Sequence, residues 1–386
     1  MWSLSPDLHH LNHGSFGAVP VPVQEARAEW LRKWESATTA FILNDFQVAV
    51  DRAREAVAGF VGGDVAGTVF VRNASTGVAS VVRSIEPWLS AGDEIVTTTQ
   101  AYNAVRQILE FSAARTGARV VVVEAPFPLE DPGEVTSRVI GAVGPRTRLV
   151  VVDHISSPTG LVFPLEEIVA GLEPEIPVLV DGAHGPGQVP LQLEVLGASW
   201  YTGNLHKWVC APKGAGFLHT RADRIDETFP VVVSHGWNTP LVEGSSRYHA
   251  LFDWLGTDDI TPWLVAPEAI RCVGGLEPGG WPAVMEMNHR LALEARDILC
   301  AALGLDHPAP NTMVGSMAAI PLPDLTGERA TGLLSPLNLQ LLDAGFETLV
   351  MIWPEWPGQL LRISAHHYNT LDEYADLALA LSELVD

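Results

Sequence analysis

The sequence predicts an α/β fold with a mostly parallel β-sheet and helices on both faces, followed by a smaller α+β region. Three observations predict it. Between residues 60 and 220, short β-branched runs alternate with stretches of helical pattern. These runs are continuously apolar, as in strands that are buried on both faces. After about residue 260 the pattern changes, and long helices precede two more strand candidates. Alternating strands and helices are typical of a parallel sheet with helical crossovers.

Seven apolar runs are strand candidates for the main sheet. They cover residues 67–71, 94–98, 119–123, 148–153, 176–181, 198–201 and 216–219. Helices are predicted between them at 77–88, 104–116 and 132–143, and later at 262–275, 281–303 and 370–384, with strands at 314–322 and 360–364. We therefore expect an N-terminal arm (1–20), a large domain with a seven-stranded sheet (21–265) and a small C-terminal domain (266–386).

The composition excludes several classes of function. The chain has 386 residues, 47% of them apolar, which is enough for a large core. A formal net charge of −23 without any basic run argues against binding nucleic acid or an anionic membrane. Three cysteines without CxxC spacing predict no disulfide framework. The start lacks a signal-peptide pattern and no apolar run reaches about 18 residues, so we expect a cytoplasmic protein that does not enter the membrane.

Polar or glycine-containing segments follow five of the predicted strands, at residues 73–77, 100–103, 153–160, 181–187 and 203–207. In open parallel sheets, ligands bind outside the carboxyl ends of the strands. Lys207 is the candidate nucleophile at this edge, because a partly buried lysine can form an imine with a carbonyl cofactor. A surface lysine is the simpler alternative, but only Lys33 and Lys213 compete, one in an amphipathic helix and the other in a Pro-Lys-Gly turn.

Three further positions are candidates for binding charged groups. Asp181 ends a predicted strand and could pair with a protonated ring nitrogen, although a turn role would also explain it and Asp153 offers the same geometry. Ser75 and Thr76 are predicted to cap a helix whose free N–H groups could bind phosphate, and capping alone would also explain them. Arg362 lies in an apolar strand pattern, where it forms either a structural ion pair or a site for a substrate carboxylate.

Other chemistries are not supported by the motifs. The histidines show no HExxH or comparable spacing, so no metal site is predicted. The Gly-x-Ser-x-Gly motif of many serine hydrolases is absent.

Taken together, these residues resemble the class V, fold type I enzymes that depend on pyridoxal 5'-phosphate, and within them the isopenicillin N epimerase-like group. The resemblance covers nearly the whole chain in the right order. The segments that carry it are 11–17 (LNHGSFG), 180–187 (VDGAHGPG), 203–214 (GNLHKWVCAPKG) and 361–364 (LRIS), which is followed by Tyr368 and Asn369.

The resemblance implies a role for each motif residue. Lys207 would form the Schiff base with the cofactor, Asp181 would pair with its pyridine nitrogen, and Tyr102 would stack on its ring, which makes these three the expected catalytic residues. The phosphate would be held by Ser75, Thr76, Asn204 and His206, and the ring hydroxyl would lie near Ser157 and His184. Arg362 would bind the substrate α-carboxylate, and Asn12 and His13 would line the entrance. The family places the site at a homodimer interface, where Thr257 would reach the partner's phosphate.

The resemblance also limits the reaction. Related desulfurases usually have His where Tyr102 stands and Asn or Gln near the ring hydroxyl, and they carry a catalytic cysteine upstream of the terminal Arg. Residues 341–361 contain no cysteine, which argues against a persulfide-forming desulfurase. We expect α-proton abstraction from an amino acid or an amino-acid-derived metabolite by an epimerase. A C–S lyase of cysteine conjugates, a class V aminotransferase and a catalytically silent binding protein are the alternatives. Epimerisation needs a second acid, for which Tyr102, His13 and His184 are candidates.

Overall fold

The structure, a computed structural model, describes residues 1–241, 244–326 and 334–385. The strands are β1 (His9–His10), β2 (Thr68–Val71), β3 (Glu94–Thr98), β4 (Arg119–Val123), β5 (Thr147–Asp153), β6 (Val178–Gly182), β7 (Trp200–Asn204), β8 (Gly216–Thr220), β9 (Met317–Leu322), β10 (Phe346–Glu347), β11 (Leu349–Ile352) and β12 (Gln359–Ser364). The α-helices are α1 (His13–Phe16), α2 (Val21–Ser36), α3 (Thr38–Asn44), α4 (Phe46–Val61), α5 (Ala74–Ile85), α6 (Asn103–Thr116), α7 (Gly133–Gly141), α8 (Leu165–Leu172), α9 (Leu193–Leu196), α10 (Arg247–Asp253), α11 (Thr261–Leu264), α12 (Ala266–Gly274), α13 (Trp281–Leu303), α14 (Leu337–Asp343) and α15 (Leu371–Val385).

Seven strands form the main sheet in the order β2-β8-β7-β6-β5-β3-β4. Strands β3 to β7 pair in parallel, and β8 pairs antiparallel with both β7 and β2. The predicted mostly parallel, seven-stranded α/β sheet is therefore confirmed. Its carboxyl edge places the ends of β5, β6 and β7 side by side, since Asp153 is in register with Asp181, and Asp181 with Thr202.

Both faces of the sheet are buried, which explains the continuous apolar runs. Along β5, Leu149 and Val151 join one hydrophobic cluster, whereas Val150 and Val152 join another on the opposite face. Successive side chains of a strand point to opposite faces, so an apolar residue is favoured at every position.

Three predicted strands begin two or three residues later than expected, as β6, β7 and β9, and β7 shows a cause. The run at 198–201 was expected to be a strand, but β7 begins only at Trp200. Glu173 explains the difference, because its Oε1 accepts hydrogen bonds from the backbone N–H and the hydroxyl of Ser199, at 2.9 and 2.6 Å. The N–H of Ser199 thus bonds to a distant side chain instead of to the backbone of a neighbouring strand.

A separate three-stranded antiparallel sheet, β11-β12-β9, packs with α13 and α15 in the C-terminal part. Its core includes Leu299, Ile320, Leu361 and Tyr374. The N-terminal segment joins this part, because β1 pairs in parallel with β10 and Leu11 lies in the same core. The domain boundaries at residues 20 and 265 stay a prediction. None of the described helices is long and apolar enough to cross a membrane.

Candidate active site

A cavity of about 260 Å³ opens at the carboxyl edge of the main sheet. Most of the positions predicted from the sequence line it, and several that were not predicted do so as well. The lining residues are Ser15, Phe16, Asn73, Ala74, Ser75, Tyr102, Asp153, Ile155, Ser157, Asp181, Ala183, His184, Asn204, His206 and Lys207. The ends of β5, β6 and β7 and the start of α5 therefore converge here, as the topology of a parallel sheet requires.

Lys207 lies in the loop after β7 and is held on its backbone side. Its carbonyl accepts a hydrogen bond from Cys210 N at 2.9 Å and lies 3.1 Å from His13 Nε2. Its Nζ lies 2.9 Å from His184 Nε2. Burial, followed by the nearby Arg362 cation, lowers the pKa of Lys207 to about 7, although Asp181 opposes the shift. A large fraction of this amine is therefore unprotonated at neutral pH.

Asp181 is the last residue but one of β6 and is buried near Lys207. Its Oδ1 accepts the N–H of Ala183 at 3.0 Å. Burial raises the pKa of Asp181, while the Ala183 hydrogen bond and the Lys207 cation act in the opposite direction. Burial and the charge of Asp181 together raise the pKa of Asp153 well above its usual value. The charge of Asp181 thus disfavours the ionisation of Asp153, and a cation beside Asp181 would favour the charged form of Asp181.

The start of α5 closes one end of the cavity. Asn73 is its cap, because its Oδ1 accepts the N–H of Thr76 at 2.9 Å; the expectation that Ser75 and Thr76 cap this helix is wrong. The Thr76 hydroxyl also donates to Asn73 Oδ1, and Thr76 does not line the cavity. Asn204 Oδ1 accepts the N–H of Ala74 at 2.8 Å, which ties the helix start to β7.

Ser75 and His206 both lie at this end of the cavity, and of the two only Ser75 offers an N–H for an anion. Ser75 lines the cavity, and its backbone N–H has no partner among the described residues. His206 donates from Nδ1 to the Ala215 carbonyl at 2.9 Å, and burial lowers its pKa to about 4. Its Nε2 is thereby left as the unprotonated ring nitrogen. Thr257 is exposed and does not line this cavity, so its role toward a partner subunit stays a prediction.

Arg362 lies on β12, directly behind the cavity wall. Its guanidinium donates to the carbonyl of Ser157, to Asn12 Oδ1 at 3.1 Å and to the Ser15 hydroxyl at 3.0 Å. Within residues 1–241, 244–326 and 334–385, no carboxylate forms a salt bridge with it, and its buried Nε has no partner. Burial lowers the pKa of Arg362 to about 10. The alternative of a structural ion pair is therefore not what the structure shows.

Tyr102 and the N-terminal residues occupy different positions. Tyr102 precedes α6, lines the cavity and is half-exposed. Asn12 orients Arg362, whereas His13 does not line the cavity with the Lys207 amine. Instead, His13 is buried behind Lys207, with its Nδ1 2.9 Å from the Tyr368 hydroxyl, and it borders a neighbouring cavity of about 700 Å³. Neither Asn12 nor His13 lines the cavity of the Lys207 amine, so the expectation that they line its entrance has to be corrected for both.

One cluster of possible metal ligands occurs in the part of the chain that the structure describes: His13, Cys210 and His366, all buried. The imidazole rings of His13 and His366 stack at 4.1 Å between their centroids. Cys210 Sγ lies 3.7 Å from His13 Nε2 and 3.5 Å from His366 Nε2, within reach of weak hydrogen bonds. His13 Nε2 also faces the Lys207 carbonyl, which requires a proton there. This geometry favours packing and hydrogen bonding over metal binding.

Several contributors to the site escaped the sequence analysis. Asn73 could have been found, since Asn directly before a helix is a favoured cap. Ser15 and Phe16 reach the cavity because β1 pairs with β10 more than 300 residues later, and no local pattern signals such a contact.

The residues of the cavity fit pyridoxal 5'-phosphate. Lys207 offers a buried amine for the aldehyde, and Asp181 offers a buried carboxyl group for a ring cation. The unpartnered N–H of Ser75 at the start of α5 suits the phosphate, because helix N-termini bind anions without a basic patch.

Comparisons with known proteins point to the same chemistry. A family model described as aminotransferase class-V matches residues 18–377. The chain is 35% identical to the isopenicillin N epimerase of Amycolatopsis lactamdurans, over 99% of this chain and 96% of that protein. It is 36% identical to a putative L-cysteine desulfhydrase 1 of Oryza sativa subsp. japonica, over 82% of this chain and 67% of that protein.

A solved structure shares the fold. The cystine C-S lyase C-DES, in complex with its reaction product cysteine persulfide, superposes with a TM-score of 0.78 over 98% of both chains, at 21% identity. This likeness confirms the fold type I architecture, and the family match carries the assignment. The chain belongs to the class V aminotransferase family of enzymes that depend on pyridoxal 5'-phosphate.

Proposed function

We propose that this enzyme removes the α-proton of an amino acid or amino-acid-derived substrate, and that it is an epimerase similar to isopenicillin N epimerase. The observation that carries the proposal is that two buried basic groups lie at the same cavity. The Lys207 amine faces the cavity, and the Arg362 guanidinium lies behind its wall without a carboxylate partner among the described residues. Removal of the α-proton of an amino acid needs an amine that acts as the base and a cation that binds the substrate carboxylate.

Each residue of the site has a proposed task. The cofactor, when bound, supplies an aldehyde for the substrate amine and a cationic ring that withdraws electrons from the substrate Cα. Asp181 keeps that ring charged, and Tyr102 covers its face. The amide of Asn204 and the first turn of α5 with Ser75 hold the phosphate end, beside the imidazole of His206, while Ser157 and His184 border the ring hydroxyl. Lys207 then moves the proton at Cα.

Arg362 fixes the substrate. Its present partners, Ser157, Asn12 and Ser15, are neutral acceptors, so a carboxylate would be a stronger partner for the guanidinium than any of them. We also propose a homodimer with shared active sites, in which the exposed Thr257 reaches the partner's phosphate. Thr257 is exposed and lies outside the cavity of its own subunit, which is consistent with this role.

A C–S lyase is the second candidate. Elimination of a β-substituent needs one base, whereas epimerisation needs an acid on the opposite side of Cα. His184 contacts Lys207 Nζ and therefore belongs to the lysine side, and His13 is buried behind the loop. Among the three earlier candidates, only Tyr102 is left for the opposite side, and this half-exposed residue, which lines the cavity, is the one to test.

The test is a panel of L-amino acids, dipeptide-like amino acids and cysteine conjugates in heavy water. Deuterium at Cα supports the proposal; a D-product identifies the epimerase, and pyruvate with a released thiol identifies the lyase. Absence of deuterium and of every product across the panel would overturn α-proton chemistry. Lys207→Ala should abolish both the imine absorbance and exchange, whereas the exposed Lys33→Ala should keep both. Borohydride reduction and peptide mapping should place the label on Lys207.

A further inference from the structure

Trp208 directly follows Lys207 and points its indole N–H into the buried side of the site. The side chain is fully buried, and Nε1 lies 3.4 Å from His184 Nδ1 in a geometry that allows a hydrogen bond. An indole N–H is a donor only. His184 Nδ1 must therefore be the acceptor in this contact.

The tautomer of His184 follows from that contact. A neutral imidazole has one protonated and one unprotonated nitrogen, so accepting at Nδ1 places the proton on Nε2. Burial, the largest cause, keeps the pKa of His184 well below its usual value, which favours the neutral ring. Nε2 lies 2.9 Å from Lys207 Nζ. Because Nε2–H is the donor, Lys207 Nζ has to accept.

We propose that Trp208 is a positioning residue: its indole N–H fixes the His184 tautomer whose Nε2–H donates to Lys207 Nζ, so that Lys207 waits for the cofactor as a neutral amine. An ammonium group has no lone pair and cannot accept this hydrogen bond. Only the neutral amine attacks an aldehyde. The contact thus selects the reactive form of Lys207. This inference rests on the proposed role of Lys207 as the residue that binds the cofactor.

The charges around Lys207 act alongside this contact. Arg362 on β12 disfavours the ammonium form, whereas Asp181 on β6 favours it. His206 lies on the same loop and is neutral near pH 7, and burial and Asp181 raise the pKa of Asp153 on β5. Tyr102 stands at the start of α6. Burial and Arg362 outweigh Asp181 and lower the pKa of Lys207 to about 7. Near this pH, a hydrogen bond that only the neutral amine can accept changes the proportion of the two forms.

The test uses the full-length chain freed of cofactor and labelled with carbon-13 at lysine Cε. Only three lysines occur, so Lys33→Arg and Lys213→Arg assign the spectrum completely. The Cε shift reports the midpoint of Lys207 titration, and nitrogen-15 shifts of the histidine rings, assigned with His184→Gln, report the tautomer. Neither readout depends on turnover. Failure of the deuterium assay would therefore count against the proposed function alone.

In the wild type we expect His184 to be protonated at Nε2 and Lys207 to titrate near pH 7. Trp208→Phe keeps the ring and removes the N–H. His184 is then free to accept from an ammonium group, which should raise the Lys207 midpoint by about one pH unit and slow cofactor capture at neutral pH about fivefold. Trp200→Phe is the matched control, since it removes another buried indole N–H, one that donates to Thr228 at 2.8 Å.

Three results would overturn the proposal. The first is a wild-type His184 protonated at Nδ1, which can be measured even if Trp208→Phe fails to fold. The second is an unchanged Lys207 midpoint in Trp208→Phe. The third is a shift of the Lys207 midpoint that is equally large when Trp208→Phe is made in the His184→Gln variant. That variant has no imidazole whose tautomer could be fixed.

Discussion

Asp153 and Asp181 stand opposite each other in register on the parallel strands β5 and β6, and both line the cavity of Lys207. Their carboxyl groups are buried, and the charge of Asp181 is one cause of the raised pKa of Asp153. From the sequence, Asp153 and Asp181 were equal candidates for pairing with a ring cation, and the structure makes them unequal. The charge of Asp181 disfavours the ionisation of Asp153, and Asp181 is the member that can become the counter-ion of a bound cation.

The first prediction separates the two aspartates. Asn is isosteric with a protonated carboxyl group, so Asp153→Asn should change kcat by no more than about threefold. Asp181→Asn removes the negative charge and should lower kcat at least about 100-fold. Turnover of the two variants, together with the absorbance of the bound cofactor, checks this. Equal losses would mean that the charge is shared by the pair.

The second prediction concerns Arg362. A buried guanidinium without a carboxylate partner should bind a substrate carboxylate in a geometry that an ammonium group cannot reproduce. Arg362→Lys should lower kcat/KM for an amino acid about 30-fold or more, because a buried charge pair is weakened. Deuterium exchange of the matching amine, which lacks the carboxylate, is the control and should be slow but equal in both enzymes. A parallel loss for both substrates would contradict carboxylate binding.

The third prediction concerns the cysteines. Cys210, Cys272 and Cys300 are buried, and burial raises the pKa of each thiol. Reactive cysteines are exposed and have lowered pKa values. A variant with alanine at all three positions should therefore keep its turnover, and mass spectrometry should find no persulfide on the wild type during turnover. A persulfide on any of the three would instead indicate desulfurase chemistry.

The sequence predicted the parts of this site that depend on short segments. The loop around Lys207 and the strand end at Asp181 are each set by a buried strand followed by glycine, which is a local pattern. The parts that escaped depend on distant contacts. Ser15 and Phe16 reach the cavity through the pairing of β1 with β10, and the start of β7 depends on Glu173. His13 was misplaced for the same reason, since its contacts with Tyr368 and Lys207 lie far away in the chain.

The fourth prediction is a loss of stability in acid. Burial lowers the pKa of His154 from 6.5 to about 4, and its Nδ1 lies 2.8 Å from the Tyr201 hydroxyl. Below pH 6.5 the unfolded chain therefore binds a proton that the folded chain refuses until about pH 4. The free energy of unfolding should fall across this range, and His154 alone accounts for about 2 kcal/mol between about pH 7.5 and about pH 5.

Denaturant unfolding of the cofactor-free chain at both pH values measures this effect. His154→Asn keeps a polar group near the Tyr201 hydroxyl but does not titrate, so the difference between the two pH values should shrink by about 2 kcal/mol. The other buried histidines, His13 among them, retain their own contributions. An unchanged difference would show that His154 becomes protonated in the folded enzyme.

The fifth prediction tests how the N-terminal segment supports the lysine loop. Gly17 has φ 68° and ψ 143°, a conformation open essentially to glycine. A Cβ at this position would overlap the carbonyl oxygen of His206 and lie 2.9 Å from that of Lys207. Lys213 Nζ also donates to the Gly17 carbonyl at 2.7 Å. The backbone of Gly17 therefore sets the distance between the N-terminal segment and the loop that carries Lys207.

Gly280 supplies a matched control, because it has φ 68° and ψ −155° and a Cβ there would meet nothing closer than 3.9 Å. Both Gly17→Ala and Gly280→Ala should lose about 1–3 kcal/mol of unfolding free energy from backbone strain. Only Gly17→Ala must also push the lysine loop away, since the carbonyls of His206 and Lys207 are backbone atoms that cannot rotate aside. It should therefore lose imine absorbance and cofactor affinity, which Gly280→Ala retains. If the two variants hold the cofactor equally well, the position of Lys207 does not depend on the N-terminal segment.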